Sequence, residues 1–162
     1  QAFGEIKELV SEGKISFEFR NFLLGVHDIA PTVLSRCGGE DRYFPLTDAW
    51  YSDWDGQMEK IMTALRDDAF LASLEKMSPA EATTQVAEKT GTIDFFASRG
   101  ISRDQALSCL SDEKALAEIE ALRKRGVEDG VEGTPTFLIN GQKVDMQSWP
   151  ELKSRLVEQG AG

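Results

Sequence analysis

The chain has 162 residues, a hydrophobic content of 41% and a formal charge of −10. That length suits one domain, or one domain with an insertion, and a chain of this size buries roughly 70% of its unfolded surface. The acidic balance excludes non-specific nucleic-acid binding, and no run approaches the ~18 apolar residues of a membrane span. There is no initiator Met, basic stretch or apolar leader core at the start, as expected of a chain whose leader has been removed or of a fragment. Two cysteines alone do not fix the redox compartment.

Phe3, Ile6, Leu9 and Val10 recur at helical spacing, and Gly13 is a suitable stop. Ile15, Phe17 and Phe19 alternate with Ser16, Glu18 and Arg20, a strand pattern. From Val26 to Cys37 the chain reads as a helix, with Asp28 as N-cap and Pro31 in the first turn. Val26, Ile29, Val33, Leu34 and Cys37 share its apolar face, and Gly38-Gly39 ends it. The stretch 41–54 holds Tyr43, Phe44, Trp50, Tyr51 and Trp54, in a helix expected to start or break near Pro45. Met58, Ile61, Met62 and Leu65 mark the next helix, and Phe70, Leu71, Leu74 and Met77 another or its continuation.

Ser78-Pro79-Ala80-Glu81 is a capping box with proline at the first helical position, opening a helix that carries Val86 and Ala87 to Gly91. Ile93, Phe95 and Phe96 make a short helix closed by Gly100. Ser102 and Gln105 form a second box, at the head of the helix that carries Cys109. Ser111 is expected to cap a long helix with Leu116, Ile119, Leu122 and Val127 inward. Ser148 and Glu151 form a third box before a last helix that buries Leu152, Leu156 and Val157. The order is helix, strand, about six short helices, one long helix, hairpin, helix.

The hairpin is the organising stretch. Phe137, Leu138 and Ile139 are a short bulky run of the kind a buried strand shows, and Asn140-Gly141 supplies the positive φ angles of a tight turn into Gln142 to Val144. Pro135 cannot donate a ladder hydrogen bond, so it is expected to begin the strand, as a candidate cis site or as a plain trans proline. Gly133-Thr134-Pro135-Thr136-Phe137 followed by Ile139-Asn140-Gly141 resembles the cis-proline segment of DsbA-like thiol:disulfide oxidoreductases. The stretch 13–21 is similar to that family's second strand. Leu34-Ser35-Arg36-Cys37-Gly38 and Ser108-Cys109-Leu110 are similar to the ends of its first and last insertion helices. The resemblance implies an α/β, thioredoxin-like fold with an inserted helical domain: residues 1–24 and 112–162 would form the thioredoxin-like part and 25–111 the insertion. It also implies that 15–19 lies parallel to a first strand.

The family's redox Cys-x-x-Cys is absent from these residues, so the resemblance places it, with the first strand, upstream of Gln1. Thr134 and Pro135 become the substrate-binding residues, the Thr134 backbone pairing with an extended polypeptide as an added strand. Cys37 and Cys109 suit neither a metal, since no His or further Cys stands at ligand spacing, nor a catalytic thiolate, since both sit near helix C-termini. A structural disulfide between the two insertion helices is expected, with two free buried thiols as the alternative.

His27 reads as a loop residue, a Cys–His pairing with Cys37 being the other option. Asp53/Asp55 and Asp67/Asp68 lack the Gly and Glu of a calcium loop and read as cap or loop residues. Trp50, Tyr51 and Trp54 read as helical core or as a peptide groove. No cofactor or metal is expected. The resemblance implies a periplasmic or otherwise exported protein whose partners are extended exported polypeptides and a redox protein, without nucleic acid or stable membrane insertion. Two alternatives share the architecture: a glutathione-dependent isomerase or kappa-type transferase, and a non-catalytic peptide-binding module.

Overall fold

The computed structural model describes residues 2–145 and 148–161, with side chains from 4 to 145 and from 148 to 160. The chain divides into two compact units, Gln1–Phe22 with Lys124–Gly162, and Leu23–Arg123. The resemblance placed the insertion at 25–111; the compact helical unit also takes in 112–123, the first part of a long helix.

In the first unit, α1 (Ala2–Ser11) buries Ile6, while Val10 is left 42% exposed. The Phe3 side chain lies outside the described residues. Gly13 ends the helix at φ 71°: its N–H reaches Val10 O at 3.0 Å and the Lys14 N–H reaches Leu9 O at 2.9 Å. That pair of bonds satisfies the last carbonyls and requires a residue that tolerates positive φ. Residues 15–20 carry the alternation of a strand, with Ile15, Phe17 and Phe19 half-buried and Ser16, Glu18 and Arg20 exposed, but form no strand. A strand is defined by a neighbour's ladder, and the sheet of the described residues contains only β1 (Phe137–Ile139) and β2 (Gln142–Val144).

The long helix α9 (Glu113–Glu128) begins differently from expectation. Asp112, not Ser111, is its cap: Asp112 Oδ1 accepts the Lys114 and Ala115 N–H groups at 2.9 and 3.3 Å, while Ser111 Oγ turns back to Ser108 O. A carboxylate at this end also matches the helix dipole. Leu116, Ile119 and Leu122 face inward, but Val127 is 56% exposed. Gly126 takes the inward place one residue earlier, where an added Cβ would stand 2.9 Å from Phe22 Cδ2. The helix closes at Gly130, φ 76°, with the Val131 N–H on Gly126 O.

The last helix, α10 (Trp149–Leu156), has Pro150 in its first turn and buries Leu152. Ser148 makes no side-chain cap bond, and Val157 is 49% exposed, because it begins the irregular turn Val157–Ala161. Lys153 Nζ pairs with Glu5 Oε2 at 2.6 Å, joining α10 to α1. That bond holds the Glu5 carboxyl below the usual carboxylate range.

The helical unit is built around α2 (Ile29–Cys37), which packs against α3 (Glu40–Ser52), α6 (Pro79–Lys89), α7 (Thr92–Ala97) and α8 (Arg103–Leu110). A tight 3-10 turn, Val26–Asp28, precedes it. Asp28 does not cap α2 through its side chain. Its Oδ2 accepts the Leu24 and Gly25 N–H groups instead, at 2.8 and 3.2 Å, and Val26 faces outward at 38% exposure. Helix α3 starts at Glu40 and runs through Pro45, which sits exposed on its outer face, while Leu46 and Trp50 pack inward.

Next come α4 (Trp54–Leu65) and α5 (Asp68–Leu74). On α4 the buried row is Gln57, Ile61 and Ala64, one step round from the expected face, so Met62 is 43% exposed. Asp67 caps α5 by accepting the Phe70 N–H at 3.0 Å. Seven α-helices thus fill the stretch 29–110, the Asp68–Leu74 segment being a helix of its own rather than a continuation of α4.

Two further caps differ in a useful way. At α6 the box is complete: Ser78 N donates to Glu81 Oε2 at 2.8 Å, and Glu81 N donates to Ser78 Oγ at 3.3 Å. At α8 only half forms. Ser102 Oγ accepts the Gln105 N–H at 3.2 Å, but the Gln105 side chain reaches away to donate to Cys37 O at 3.1 Å. A packed neighbour has outcompeted the local bond. The core these helices enclose contains Leu34, Ile61, Ala87, Ile93, Phe96, Ile101 and Leu110. Trp50 stacks on Phe96 and meets Phe95 edge-on, with centroids 5.7 and 5.1 Å apart. Tyr51 stacks instead on Trp54 at the surface.

Candidate functional site

The hairpin forms where Asn140-Gly141 places it. Asn140 at φ 51° and Gly141 at φ 78° supply the two left-handed residues of a tight turn, and Phe137 pairs with Val144, Leu138 with Lys143, Ile139 with Gln142. The strand is less buried than its composition suggests: Phe137 and Ile139 are half-buried and Leu138 is 42% exposed. β2 covers one edge of β1, and no other strand lies along β1 among the described residues.

Thr134 and Pro135 are both exposed, just ahead of β1 rather than at its first position, and the bond between them is cis. The loop is held from its own ends. Thr136 Oγ1 donates to Gly133 O at 2.7 Å, and Lys143 Nζ reaches back from β2 to Gly130 O at 2.9 Å and to Glu132 at 3.8 Å. Arg20 Nη1 lies 3.3 Å from Asp129 Oδ2 just past α9, while Arg20 Nε meets Glu18 at 2.7 Å. The Arg20 bond holds the Glu18 carboxyl below its usual range. Thr134 and Pro135 thus stand exposed in a loop held by the Thr136 and Lys143 bonds.

Cys37 and Cys109 are bonded to each other, with Cα atoms 6.1 Å apart. Both are half-buried against the helical core, Cys37 as the last residue of α2 and Cys109 near the end of α8. His27 has no thiol to act on, since Cys37 is engaged by Cys109; its ring lies over Gly25, with Nε2 3.7 Å from Asp28 Oδ1. Asp67 caps α5 through Phe70 N and also accepts from Lys89 Nζ, while Asp53, at the head of α4, accepts from the Gln57 side chain and makes no side-chain cap bond. No group of three or more His, Cys, Asp or Glu that could hold a metal occurs among the described residues.

The family described as Thioredoxin matches residues 1–159. The chain belongs to the thioredoxin family. Among solved structures it is similar to a protein-disulfide isomerase from Novosphingobium aromaticivorans, with a TM-score of 0.77 and 24% identity over 86% of this chain and 71% of that chain. At that identity the likeness establishes the fold, a thioredoxin-like α/β frame enlarged by helices. No curated protein matches the sequence. Family and fold together support a thiol:disulfide oxidoreductase as the broad class of this thioredoxin-family chain.

Sequence reasoning missed Arg42 and Gln57. Arg42 donates to Gly100 O at 2.9 Å and to Arg99 O, satisfying carbonyls beyond α7. Nothing marks an arginine as a distant cap before the helices are packed. Gln57 is buried at 1% exposure, and its place in the buried row with Ile61 and Ala64 was the available signal.

Proposed function

We propose that these residues form the substrate-holding loop and the helical domain of a DsbA-like thiol:disulfide oxidoreductase acting on exported polypeptides. The observation that carries the proposal is the exposed Thr134–Pro135 loop, braced by Thr136 and Lys143 ahead of a strand with one open edge. An extended polypeptide lies against the Thr134 backbone and gains main-chain hydrogen bonds, so recognition depends little on its sequence. The chemistry this reading calls for is that of the Cys-x-x-Cys redox pair implied by the DsbA-like resemblance. Its thiolate and a substrate disulfide exchange through a mixed disulfide, and the second cysteine resolves it.

Cys37 and Cys109 stay out of this chemistry. Their disulfide closes a loop of 72 positions and contributes about 4 kcal/mol of stability by the loop-entropy relation. No helix among the described residues is long and apolar enough to cross a membrane, which is compatible with an exported, periplasmic setting.

The protein from its natural source tests this by cysteine count and by turnover. Alkylation after denaturing reduction is expected to label four cysteines, and the protein to catalyse oxidative refolding of a reduced substrate until its reactive thiol is alkylated. Labelling of two cysteines only, together with peptide binding that survives alkylation, would instead identify a non-catalytic binding module.

A further inference from the structure

Helix α4 carries two apolar faces where its fold needs one. The first is the core row of Gln57, Ile61 and Ala64. Trp54, Met58 and Met62 follow one another at i, i+4 spacing and form another row one step round the helix, which Leu65 extends. Met58 and Leu65 touch the core with part of their surface, Trp54 is half-buried and Met62 is exposed. At the head of this row Tyr51, exposed near the end of α3, stacks on Trp54 with ring centroids 5.7 Å apart. The result is a stripe of two aromatic rings, two thioethers and a leucine on a side that a surface helix ordinarily gives to polar residues. A contiguous apolar surface of this kind marks a place where something docks, and methionines suit a surface that receives side chains of varied shape.

The charges beside the stripe choose the occupant. Asp55 and Glu59 stand in the neighbouring row along its outer margin, and Asp48 lies one turn before Tyr51 on α3. All three are exposed, and none makes an ion pair among the described residues. Lys60 is on the opposite side of α4, and Arg66 comes only past the helix end. An anionic lipid surface would meet these carboxylates first and be repelled. A second copy docked through the same face about a two-fold axis would bring Glu59, at the middle of the stripe's margin, close to its own image. A cationic segment meets neither obstacle, and the acidic balance of the helical unit, 18 acidic against 10 basic residues, favours its approach.

We propose that this face of α4 docks a basic amphipathic helix of a partner protein, its apolar residues on Trp54, Met58 and Met62 and its cations on Asp55 and Glu59. The proposal rests neither on thiol chemistry nor on the loop at Thr134.

Calorimetric titration of the purified full chain with a short amphipathic helix made of leucine and lysine tests it, alongside the same peptide with glutamate in place of lysine. Saturable binding is expected for the leucine-lysine peptide and none for the leucine-glutamate one. Met62→Gln, which sets an unpaired amide in the stripe, should weaken binding about tenfold. Asp55→Lys with Glu59→Lys should weaken it by about tenfold as well, through two lost ion pairs. Asp104→Lys with Glu128→Lys, the same change of net charge on α8 and α9, should change it by less than about threefold at physiological salt. All five positions are exposed, so each variant is expected to fold. Absence of saturable binding, equal affinity for the leucine-glutamate peptide, indifference to Met62→Gln, or an equal loss from the pair on α8 and α9 overturns the proposal. Self-association of the chain alone that Met62→Gln abolishes would also overturn it, by giving the stripe to a second copy. Binding to phosphatidylglycerol vesicles that Met62→Gln abolishes would do so by giving it to a membrane.

Discussion

The two units solve the burial problem differently. The helical unit, 23–123, has a continuous core in which Leu34, Phe96, Ile101 and Leu110 are fully buried, and a disulfide ties two of its helices. In the other unit the fully described buried side chains are Ile6, Asn21 and Leu152, while Val10, Val127, Leu138 and Val157 are each more than 40% exposed. Charge divides the same way: 23–123 carries 18 acidic against 10 basic residues, the rest of the chain 10 against 8. The lesson is that a helical domain can complete its core from its own residues, because every helix satisfies its own backbone. A sheet cannot, because each strand needs a neighbour.

The sharpest test of that contrast is truncation in each core. Phe96→Ala removes a fully buried ring stacked on Trp50 and is expected to cost about 3–5 kcal/mol. Leu152→Ala, in the sparser core, is expected to cost about 2 kcal/mol, the low end for a leucine whose site can collapse. Denaturant unfolding of each variant measures both, and equal losses would break the comparison.

Removing the disulfide by Cys37→Ala with Cys109→Ala is expected to cost up to about 4 kcal/mol. Hydrogen exchange should show the loss in 23–123 first, with α1 and α10 keeping their protection. Uniform loss would mean that the two units unfold as one.

A finer comparison uses the caps. Ser78→Ala breaks a complete box and is expected to cost about 1 kcal/mol, whereas Ser148→Ala, at a helix start with no side-chain cap bond, should cost no more than about 0.3 kcal/mol in the same unfolding experiment.

The smallest effect is in pH. Four carboxyls, Glu18 and Glu81 exposed and Glu5 and Asp67 half-buried, sit below their usual range: Glu5 through Lys153, Glu18 through Arg20, Asp67 through the Phe70 N–H and Lys89, and Glu81 through Ser78. A carboxyl whose folded pKa is lowered adds stability that is complete above its unfolded value of about 4 and is lost as pH falls through the folded value. Each share is small because all four groups stay in contact with solvent, which screens them. Thermal scans should show Tm flat towards neutrality and falling below about pH 4. Lys153→Ala should flatten only the Glu5 share.

Much of this was legible in the residues. The helical periodicity of 29–110, the Ser78 box and the Asn140-Gly141 turn all rest on local chemistry, which a sequence displays directly. What was not legible depends on packing. The strand pattern of 15–19 states which side chains turn inward but not what its backbone meets. Val26, Met62, Val127 and Val157 fit their helices' apolar faces by spacing, yet lie one step from the seam that neighbours cover. Gln105 has the composition of a capping-box partner and spends its side chain on Cys37 O instead.

The central claim is that the loop at Thr134 holds an extended polypeptide. Its most direct test is amide NMR of the protein titrated with an unfolded, cysteine-containing peptide whose thiol is blocked. The account expects the largest shift changes at the amides of Gly133, Thr134, Thr136 and Phe137, weakened when Thr134-Pro135 is replaced by Gly-Ala. Changes spread over the helical unit with none in that loop would contradict it.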